Sequence, residues 1–225
     1  MRTARVAFYW FVKTIAWPVT HSYVRLKVVG VANIPASGPC LVVANHASYV
    51  DAVVLGSACP RRITFLITRP IYNLWRLRWF YYMMGSISVN PDAPDPGALK
   101  AALKTLQRGD VVGIFPEGQR MPDGNLGQGK SGAALIASRS GVPVVPAAIV
   151  GAHRVMRVGS MLPRPNRVKV VFGEALRFPT PEGRRATRQQ LDGFADQIMR
   201  AIADLLVNEE TLPAVDCPGR RTRST

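Results

Sequence analysis

The sequence predicts an α/β fold: a single-domain α/β sandwich with a largely parallel, mixed sheet flanked by helices. Short apolar runs bounded by turn residues alternate along the chain with helical hydrophobic patterns, as they do in folds with parallel strands. The 225 residues fit one domain that is long enough to bury a sizeable core. Hydrophobic residues make up 48% of the sequence, which excludes disorder as the main state.

Seven strands are predicted from two kinds of pattern. Short apolar runs indicate buried strands, whereas the first and last strands alternate between polar and apolar residues. Pro143 and Pro146 lack the N–H that a strand donates, so we expect irregular pairing around them. The predicted strands cover residues 25–31, 40–44, 63–68, 86–89, 111–115, 142–150 and 168–172.

Helices are predicted between these strands, where apolar residues recur at helical spacing. Ser48 and Ser131 are expected to cap two of them, because a serine oxygen accepts hydrogen bonds from the first free N–H groups of a helix. Pro60, Gly109 and Gly141 mark predicted helix ends. The predicted helices cover residues 48–58, 72–84, 98–108, 131–140 and 187–206.

The chain is strongly basic, with 29 Lys and Arg residues, 14 Asp and Glu residues and a formal net charge of +15. This charge indicates a polyanionic partner, either a nucleic acid or an anionic membrane surface. Nucleic acid is the less favoured partner, because no recognition motif accompanies the charge. Cys40, Cys59 and Cys217 are widely spaced, which argues against a disulfide scaffold or a structural zinc site and fits a reducing compartment.

Residues 1–24 are predicted to form an amphipathic helix at a membrane interface. Aromatic side chains crowd this stretch and basic residues flank it, a combination that favours the headgroup region of an anionic membrane. Lys13, Pro18 and His21 interrupt the apolar run, whereas a membrane span needs about 18 unbroken apolar residues. A helix that packs on the domain is the alternative. Residues 25–207 then form the main domain, and residues 208–225 are expected to be a flexible tail.

His46 and Asp51 lie at a predicted strand–helix junction. His46 follows the buried strand at 40–44, and sites in open α/β sheets gather where loops leave the carboxyl ends of strands. The carboxylate of Asp51, in the first helical turn, can reach one ring nitrogen of His46. The other nitrogen is then free to act as a general base on a substrate hydroxyl. In the alternative, Asp51 completes a capping box with Ser48 and His46 is structural.

A second candidate segment, F-P-E-G-Q-R at residues 115–120, opens a glycine-rich loop. Backbone amides of glycines can approach an anion closely, and the helix expected after Lys130 favours an anion at its start. Arg120 and Lys130 add positive charge, and the guanidinium of Arg120 has a geometry that suits phosphate. Because the glycine spacing is not that of a P-loop, a surface loop with solvated cations is the alternative.

Together, the two segments resemble the glycerolipid acyltransferase family, of the 1-acyl-glycerol-3-phosphate acyltransferase type. The family block N-H-x-x-x-x-D matches Asn45, His46 and Asp51, and the later block F-P-E-G-x-R matches residues 115–118 and Arg120. Residues 142–146 match a further apolar block with an internal proline. The blocks occur in the family's order and spacing, and the resemblance covers residues 34–150.

The resemblance implies transfer of a fatty acyl group from acyl-coenzyme A or acyl carrier protein to the hydroxyl of a lysophospholipid. His46 would be the base, oriented by Asp51, and neither a metal nor a cofactor would be required. Residues 25–207 would be the acyltransferase domain, located at the cytoplasmic face of the membrane as a peripheral or monotopic protein. The residues expected to bind substrate are Asn45, Arg69, Asn90, Glu117, Gly118, Arg120 and Lys130.

One family block departs from the pattern. It usually ends in an arginine that contacts phosphate, but here residues 85–89 are followed by Asn90, which carries no charge. Arg69, Lys100 or Lys130 would have to supply the missing contact. The expected acceptor is 1-acyl-glycerol-3-phosphate, giving phosphatidic acid. The alternatives are a lysophospholipid with a larger headgroup, another lipid alcohol, or a non-catalytic membrane-surface protein with the same fold.

Overall fold

The computed structural model of the chain describes residues 2–121, 123–156, 163–179 and 186–207. The predicted tail at 208–225 lies outside the described residues. All seven predicted strands are present, most of them slightly shorter than expected. They are β1 (Lys27–Val29), β2 (Cys40–Ala44), β3 (Ile63–Thr68), β4 (Ile87–Val89), β5 (Val111–Ile114), β6 (Val144–Val150) and β7 (Lys169–Phe172).

Helices begin the chain and connect the strands. A π-helical turn at Val19–Tyr23 continues the first helix, and a 3-10 turn at Val31–Asn33 follows β1. Across the described ranges, no helix combines the length and the hydropathy that crossing a membrane requires. The helices are α1 (Arg2–Pro18), α2 (Asp51–Ala58), α3 (Arg69–Tyr72), α4 (Arg78–Met84), α5 (Pro96–Leu106), α6 (Gly132–Ser140), α7 (Ala152–Val155) and α8 (Arg188–Val207).

The sheet is mixed and largely parallel, as predicted. Its strand order is β1-β7-β6-β2-β5-β3-β4. β6, β2, β5, β3 and β4 run parallel to one another, β1 is parallel to β7, and β6 and β7 are antiparallel. The five adjacent parallel strands, β6 to β4 in this order, therefore end along one edge of the sheet, here called the carboxyl edge, and begin along the opposite amino edge.

Apolar side chains cover both faces of the sheet, because a buried parallel strand packs on both sides. In β2, Val42 faces a layer that contains α2, whereas Leu41 and Val43 face a layer that contains α5, α6 and α8. All five residues of β2 are buried, which makes this strand a rigid support for the loop that follows it.

The helix predicted at 72–84 and the helix predicted at 98–108 have different boundaries in the structure. The first begins only at Arg78, as α4. A separate short helix, α3, precedes it and ends at Tyr72, followed by Asn73, a residue with low helix propensity. α5 begins two residues early because Asp95 caps it, accepting a 2.9 Å hydrogen bond from Ala98 N–H, with Pro96 at the first helical position.

The pairing of β6 is more regular than its prolines suggested. Its register with β2 is unbroken across Pro146, which lies opposite Val43. Its antiparallel pairing with β7 extends no further than Ala147, so the residue without an N–H falls just beyond that ladder. The irregular pairing expected around Pro146 is therefore absent on the β2 side.

α1 packs on the domain through polar and aromatic contacts and exposes several large apolar side chains. Lys13 donates to the carbonyl of Cys59, and the hydroxyl of Tyr9 accepts a hydrogen bond from Ile63 N–H over 3.2 Å. Burial of Tyr9 raises its pKa to about 12. The helix thus makes polar contacts inward, and several of its large apolar side chains lie outward. These exposed residues are Trp10, Phe11, Ile15 and Trp17.

Candidate active site

The segments singled out in the sequence meet at the carboxyl edge. Asn45 follows β2, Arg69 follows β3, Asn90 follows β4 and Phe115 follows β5. Because these strands are parallel neighbours in the order β2-β5-β3-β4, their ends lie side by side. The fold therefore collects residues from four distant parts of the sequence at one place.

His46 and Asp51 form a direct pair in the loop after β2. His46 Nδ1 lies 2.8 Å from Asp51 Oδ2, and the same oxygen accepts hydrogen bonds of 2.7 Å from the N–H groups of Ala47 and Ser48. Asp51 is fully buried, whereas the His46 side chain is 19% exposed. Three donors thus fix the position of the carboxylate. Because the carboxylate accepts a hydrogen bond from Nδ1, it favours the tautomer with the proton on Nδ1. Nε2 is then left to exchange a proton with a substrate.

Only half of the predicted capping box at the start of α2 is present: Asp51 accepts from Ser48 N–H, but Asp51 N–H donates to the Ser48 carbonyl rather than to its hydroxyl. α2 begins at Asp51 rather than Ser48, and no side chain caps it at Val50. Ser48 Oγ instead donates to the Met156 carbonyl over 3.0 Å. The carboxylate of Asp51 reaches back to the backbone of the preceding loop and keeps that loop outside the helix. Asp51 therefore contacts both the His46 ring and the backbone of its loop, and the catalytic role of the pair stays a prediction.

Phe115 holds the imidazole from one side. Its ring stacks on that of His46, with centroids 4.3 Å apart and planes 17° from parallel. Phe65 stacks on Phe115 in turn, at 5.9 Å and 3°. Sequence reasoning gave Phe115 no role beyond its place in the motif. One feature of the sequence could have indicated this contact: Phe115 is an aromatic residue at the end of a predicted buried strand, as His46 is at the end of another.

Asn45 is buried and turned toward the neighbouring strand. Its side-chain oxygen accepts from Ile149 N–H over 2.7 Å, and its amide nitrogen donates to the Ile149 carbonyl over 3.0 Å. The amide thus extends the β2–β6 ladder by one residue pair after the backbone pairing ends. These contacts anchor the loop that carries His46, and the expectation that Asn45 binds substrate stays a prediction.

Glu117 is a buried carboxyl group beside the pair. It is 4% exposed, and neither carboxylate oxygen makes a hydrogen bond of normal geometry to the described residues. Burial raises the pKa of Glu117 to about 7, the nearby Asp51 adds to the rise, and the N–H groups of His46 and Gly127 partly offset it. The carboxyl group can therefore change its charge near neutral pH.

Arg120 is tied to the loop of His46 through Tyr49. Its guanidinium centre lies 3.7 Å from the centroid of the Tyr49 ring, and Nη2 donates to the Tyr49 hydroxyl over 3.1 Å. The next residue, Met121, donates its N–H to the His46 carbonyl over 2.8 Å. The two sequence motifs are thus physically joined. Tyr49 had no predicted role, and only its place three residues after His46 hinted at one.

Lys130 crosses from the glycine-rich loop to the segment after β4. Its Nζ donates to the Pro91 carbonyl over 3.0 Å. The same side chain passes Gly118, where a Cβ would lie 3.1 Å from Nζ and the backbone has a φ of +68°. Both the close approach and the positive φ require glycine at this position. Lys130 and Gly118, both predicted site residues, are therefore in contact.

Arg69 and Asn90 meet at Asp95. Arg69 Nη2 lies 2.8 Å from Asp95 Oδ2, which also accepts from Asn90 N–H over 3.0 Å. Hydrogen bonds from the N–H groups of Ala98 and Asn90 hold the pKa of Asp95 below its usual range, and Arg69 contributes further. The cation Arg69 therefore lies beside the uncharged Asn90, but Arg69 is already paired with the carboxylate of Asp95.

The described residues contain no cluster of three or more His, Cys, Asp or Glu side chains that could hold a metal ion. The groups at the carboxyl edge are instead one imidazole, two buried carboxyl groups and several cations. This set can transfer protons and bind an anion.

Comparison with known proteins finds the same family that the motifs resemble. The sequence model of the Acyltransferase family matches residues 25–150. A 1-acyl-sn-glycerol-3-phosphate acyltransferase of Bacillus subtilis is 31% identical over 67% of this chain and 73% of its own length. A chloroplastic protein of that name from Brassica napus is 34% identical over 62% of this chain.

The match to the Brassica napus protein spans about two fifths of that protein's length, 41%. Among solved structures, the 1-acyl-sn-glycerophosphate acyltransferase PlsC from Thermotoga maritima superimposes with a TM-score of 0.70. That match covers 91% of this chain and 82% of the other, at 24% identity. This similarity supports the fold described above.

Proposed function

Because this chain belongs to the acyltransferase family, we propose that it transfers a fatty acyl group from an acyl thioester to the hydroxyl of a lysophospholipid. The proposed acceptor is 1-acyl-glycerol-3-phosphate and the product is phosphatidic acid. The observation that carries this proposal is the 2.8 Å pair of His46 and Asp51 at the carboxyl edge, in which the His46 side chain stays partly exposed.

The reaction needs a base, and His46 is placed to be one. Nε2 takes the proton of the acceptor hydroxyl as the oxygen attacks the thioester carbonyl. The carbon–sulfur bond then breaks, and the imidazolium returns its proton to the departing thiolate. Buried Asp51 stabilises the positive imidazolium between these two steps. No acyl group is attached to the enzyme, and holding the two substrates together lowers the barrier by up to ~7–11 kcal/mol.

The acceptor phosphate is assigned to the glycine-rich loop. Gly118, Arg120 and Lys130 lie beside the loop of His46. The side chains of Arg120 and Lys130 are cationic. Arg120 Nε is buried and has no acceptor among the described residues, so a donor is available to an anion. Glu117 is proposed to accept a hydrogen bond from a glycerol hydroxyl. Arg69 and Asn90 would contact the outer part of the headgroup.

Because Asn90 is uncharged, we also propose a second class of acceptor. A lysophospholipid with a larger headgroup, or another lipid alcohol, needs less positive charge at this position than a phosphomonoester does. Arg69 beside Asn90 is already paired with Asp95, which lowers the charge available there. The donor is proposed to be acyl-coenzyme A or acyl carrier protein, and neither a metal nor a cofactor is invoked.

We further propose that α1 and α4 attach the protein to the anionic, cytoplasmic face of a membrane as a peripheral or monotopic protein. α1 directs polar contacts at the domain and exposes aromatic rings. Trp75, just before α4, and Trp79, within it, are 80% and 60% exposed. Such a surface is typical of an interfacial helix, whose rings prefer the headgroup boundary.

The direct test is an acceptor and donor screen with purified full-length protein. Labelled acyl-coenzyme A and acyl carrier protein are offered with 1-acyl-glycerol-3-phosphate, larger lysophospholipids and simple lipid alcohols, and products are identified by mass spectrometry. We expect phosphatidic acid as the main product. His46→Ala should lose at least about 10²–10⁴-fold in rate. His21 lies in the turn after α1, and the control variant His21→Ala should keep its activity in detergent micelles. Equal rates for His46→Ala and wild type would refute the proposal.

A further inference from the structure

An open cavity lies at the amino edge, away from His46. Its volume is about 250 Å³. Arg62 precedes β3 and Asp110 precedes β5, and both line it, so it lies where these strands begin. Phe115 at the opposite edge is five residues further along β5 than Asp110, a distance of roughly 16 Å in an extended chain. The proposed catalytic chemistry makes no use of this cavity.

The cavity is lined by four guanidinium groups and one carboxylate. Arg2 and Asp110 form a loose ion pair at 3.6 Å, and Arg5, Arg62 and Arg108 add further positive charge. Like charges this close repel one another, most strongly where the side chains are withdrawn from water. A counter-charge inside the cavity would relieve that repulsion.

Two of these arginines also have donors without acceptors. Nε of Arg5 and Nε of Arg62 are both buried, and neither has a hydrogen-bond partner in the part of the chain that the structure describes. Arg62 Nη2 donates to the Met84 carbonyl over 3.3 Å, a long hydrogen bond. Burial lowers the pKa of Arg62, and the charges of Arg2 and Arg5 lower it further, while Asp110 opposes this. Buried donors left unpaired destabilise the protein, and an acceptor that reached them would remove this cost.

We propose that this cavity binds the phosphate group of an anionic membrane phospholipid, at a site separate from that of the acyl acceptor. Guanidinium groups form paired hydrogen bonds with phosphate oxygens, which a simple point charge does not. A phosphate would supply acceptors to the donors of Arg5 and Arg62 together with the missing negative charge. A neutral ligand would supply acceptors but leave the repulsion in place.

The surroundings of the cavity point to a lipid as the source of the phosphate. The guanidinium of Arg5 lies 3.8 Å from the centroid of the Tyr82 ring, and Tyr82 is itself 43% exposed. One turn earlier on α4, exposed Trp79 contacts Phe8 of α1. The cavity therefore borders the apolar surface formed by these two helices. A headgroup bound here would have its acyl chains beside those rings.

The test is binding of the full chain to phosphatidylcholine vesicles that contain a fixed fraction of phosphatidic acid. Arg5→Gln and Arg108→Gln are compared with Arg76→Gln, which removes an exposed arginine beside Trp75 on the same apolar surface. Losing a phosphate contact should weaken binding about tenfold or more. Arg76→Gln should weaken it no more than about fivefold, the effect of one basic residue near an anionic surface.

A second arm distinguishes a lipid from free phosphate. Inorganic phosphate at constant ionic strength should raise the unfolding temperature of wild type more than that of Arg108→Gln, and should compete with the vesicles. Phosphate stabilisation without any vesicle difference between Arg108→Gln and Arg76→Gln would overturn the lipid assignment. No effect in either arm would overturn the site altogether. The inference uses the proposed membrane surface but not acyl transfer, and His46→Ala should bind vesicles as wild type does.

Discussion

The two edges of the sheet differ in how their central charged groups are hydrogen-bonded. At the carboxyl edge, Asp51 Oδ2 has three donors within 2.8 Å, and each is supplied by the loop that follows β2. At the amino edge, the Nε groups of Arg5 and Arg62 have no acceptor among the described residues. The carboxylate oxygen that orients His46 thus has its donors in place, whereas these two arginine donors are left open. Around that pair, Glu117 and Arg120 Nε are also buried without partners among the described residues.

This difference matches the two tasks that we assign. A general base must have its proton on a known nitrogen and its ring in a fixed direction, so its partners have to be in place before substrate arrives. A binding pocket gains affinity from groups that the free protein leaves unsatisfied, because the ligand completes them. The experiments below perturb one edge and leave the other unchanged.

The largest effect is expected from Asp51→Asn. The amide oxygen can keep the three hydrogen bonds, but it lacks the charge that stabilises the imidazolium. We expect kcat for acyl transfer to fall by about 10²–10⁴-fold without loss of vesicle binding. Steady-state kinetics in detergent micelles measure the first, and cosedimentation measures the second.

Asp192→Asn is a matched control, since Asp192 is an exposed carboxylate on α8 whose ion-pair partner is Arg188 on the same helix. It should leave kcat unchanged. Equal activity of Asp51→Asn and Asp192→Asn would show that the carboxylate at the carboxyl edge only stabilises the loop.

Glu117→Gln should change the pH dependence of stability. The folded-state pKa of Glu117 is raised from 4.5 to about 7. Neutral Glu117 is compatible with burial, so its contribution to the free energy of unfolding is fully present below about pH 4.5. This contribution is lost as the pH rises through 7, because the buried carboxyl group then becomes charged. Because the variant stays neutral, we expect it to be more stable than wild type at pH 8, by an amount on the order of 3 kcal/mol. The two proteins should converge near pH 4.5.

Urea unfolding at several pH values measures this difference. Glu174→Gln, at an exposed position after β7, is the control and should show no such pH-dependent gain. A constant offset between Glu117→Gln and wild type at every pH would contradict the assignment of a titrating carboxyl group to the carboxyl edge.

The smallest effect is expected from Asn90→Arg. A guanidinium at this position adds a charged donor next to Arg69, so use of 1-acyl-glycerol-3-phosphate should improve relative to lysophosphatidylcholine. One such contact is worth about 1 kcal/mol, or roughly fivefold in the ratio of the two kcat/KM values. Asn90→Gln lengthens the side chain without charge and should leave the ratio unchanged. An equal loss on both acceptors would argue against a phosphate contact here.

Much of the carboxyl edge could be predicted because local sequence determines it. The buried runs that became β2 and β5 place His46 and Glu117 at strand ends, and a parallel sheet brings such ends together. The spacing of His46 and Asp51 within one loop needs no long-range knowledge. The contact between these two side chains could therefore be predicted from the sequence.

Other features depend on contacts between distant residues. The capping role expected of Ser48 failed because Met156, 108 residues away, takes its hydroxyl hydrogen bond. Likewise, Arg5, Arg62 and Asp110 share a cavity only because α1 packs across the starts of β3 and β5. No periodicity in the sequence indicates that neighbourhood. Sequence reasoning therefore described one edge of the sheet and missed the other.

The central claim is that Asp51 holds the proton of His46 on Nδ1 and leaves Nε2 to accept the proton of the acceptor hydroxyl. It is tested most directly by ¹⁵N NMR of histidine-labelled protein at a pH where the imidazole is neutral. The chain has three histidines, and the His46→Ala spectrum identifies the signals of His46. We predict a protonated Nδ1 and an unprotonated Nε2. A proton found mainly on Nε2 would contradict the claim.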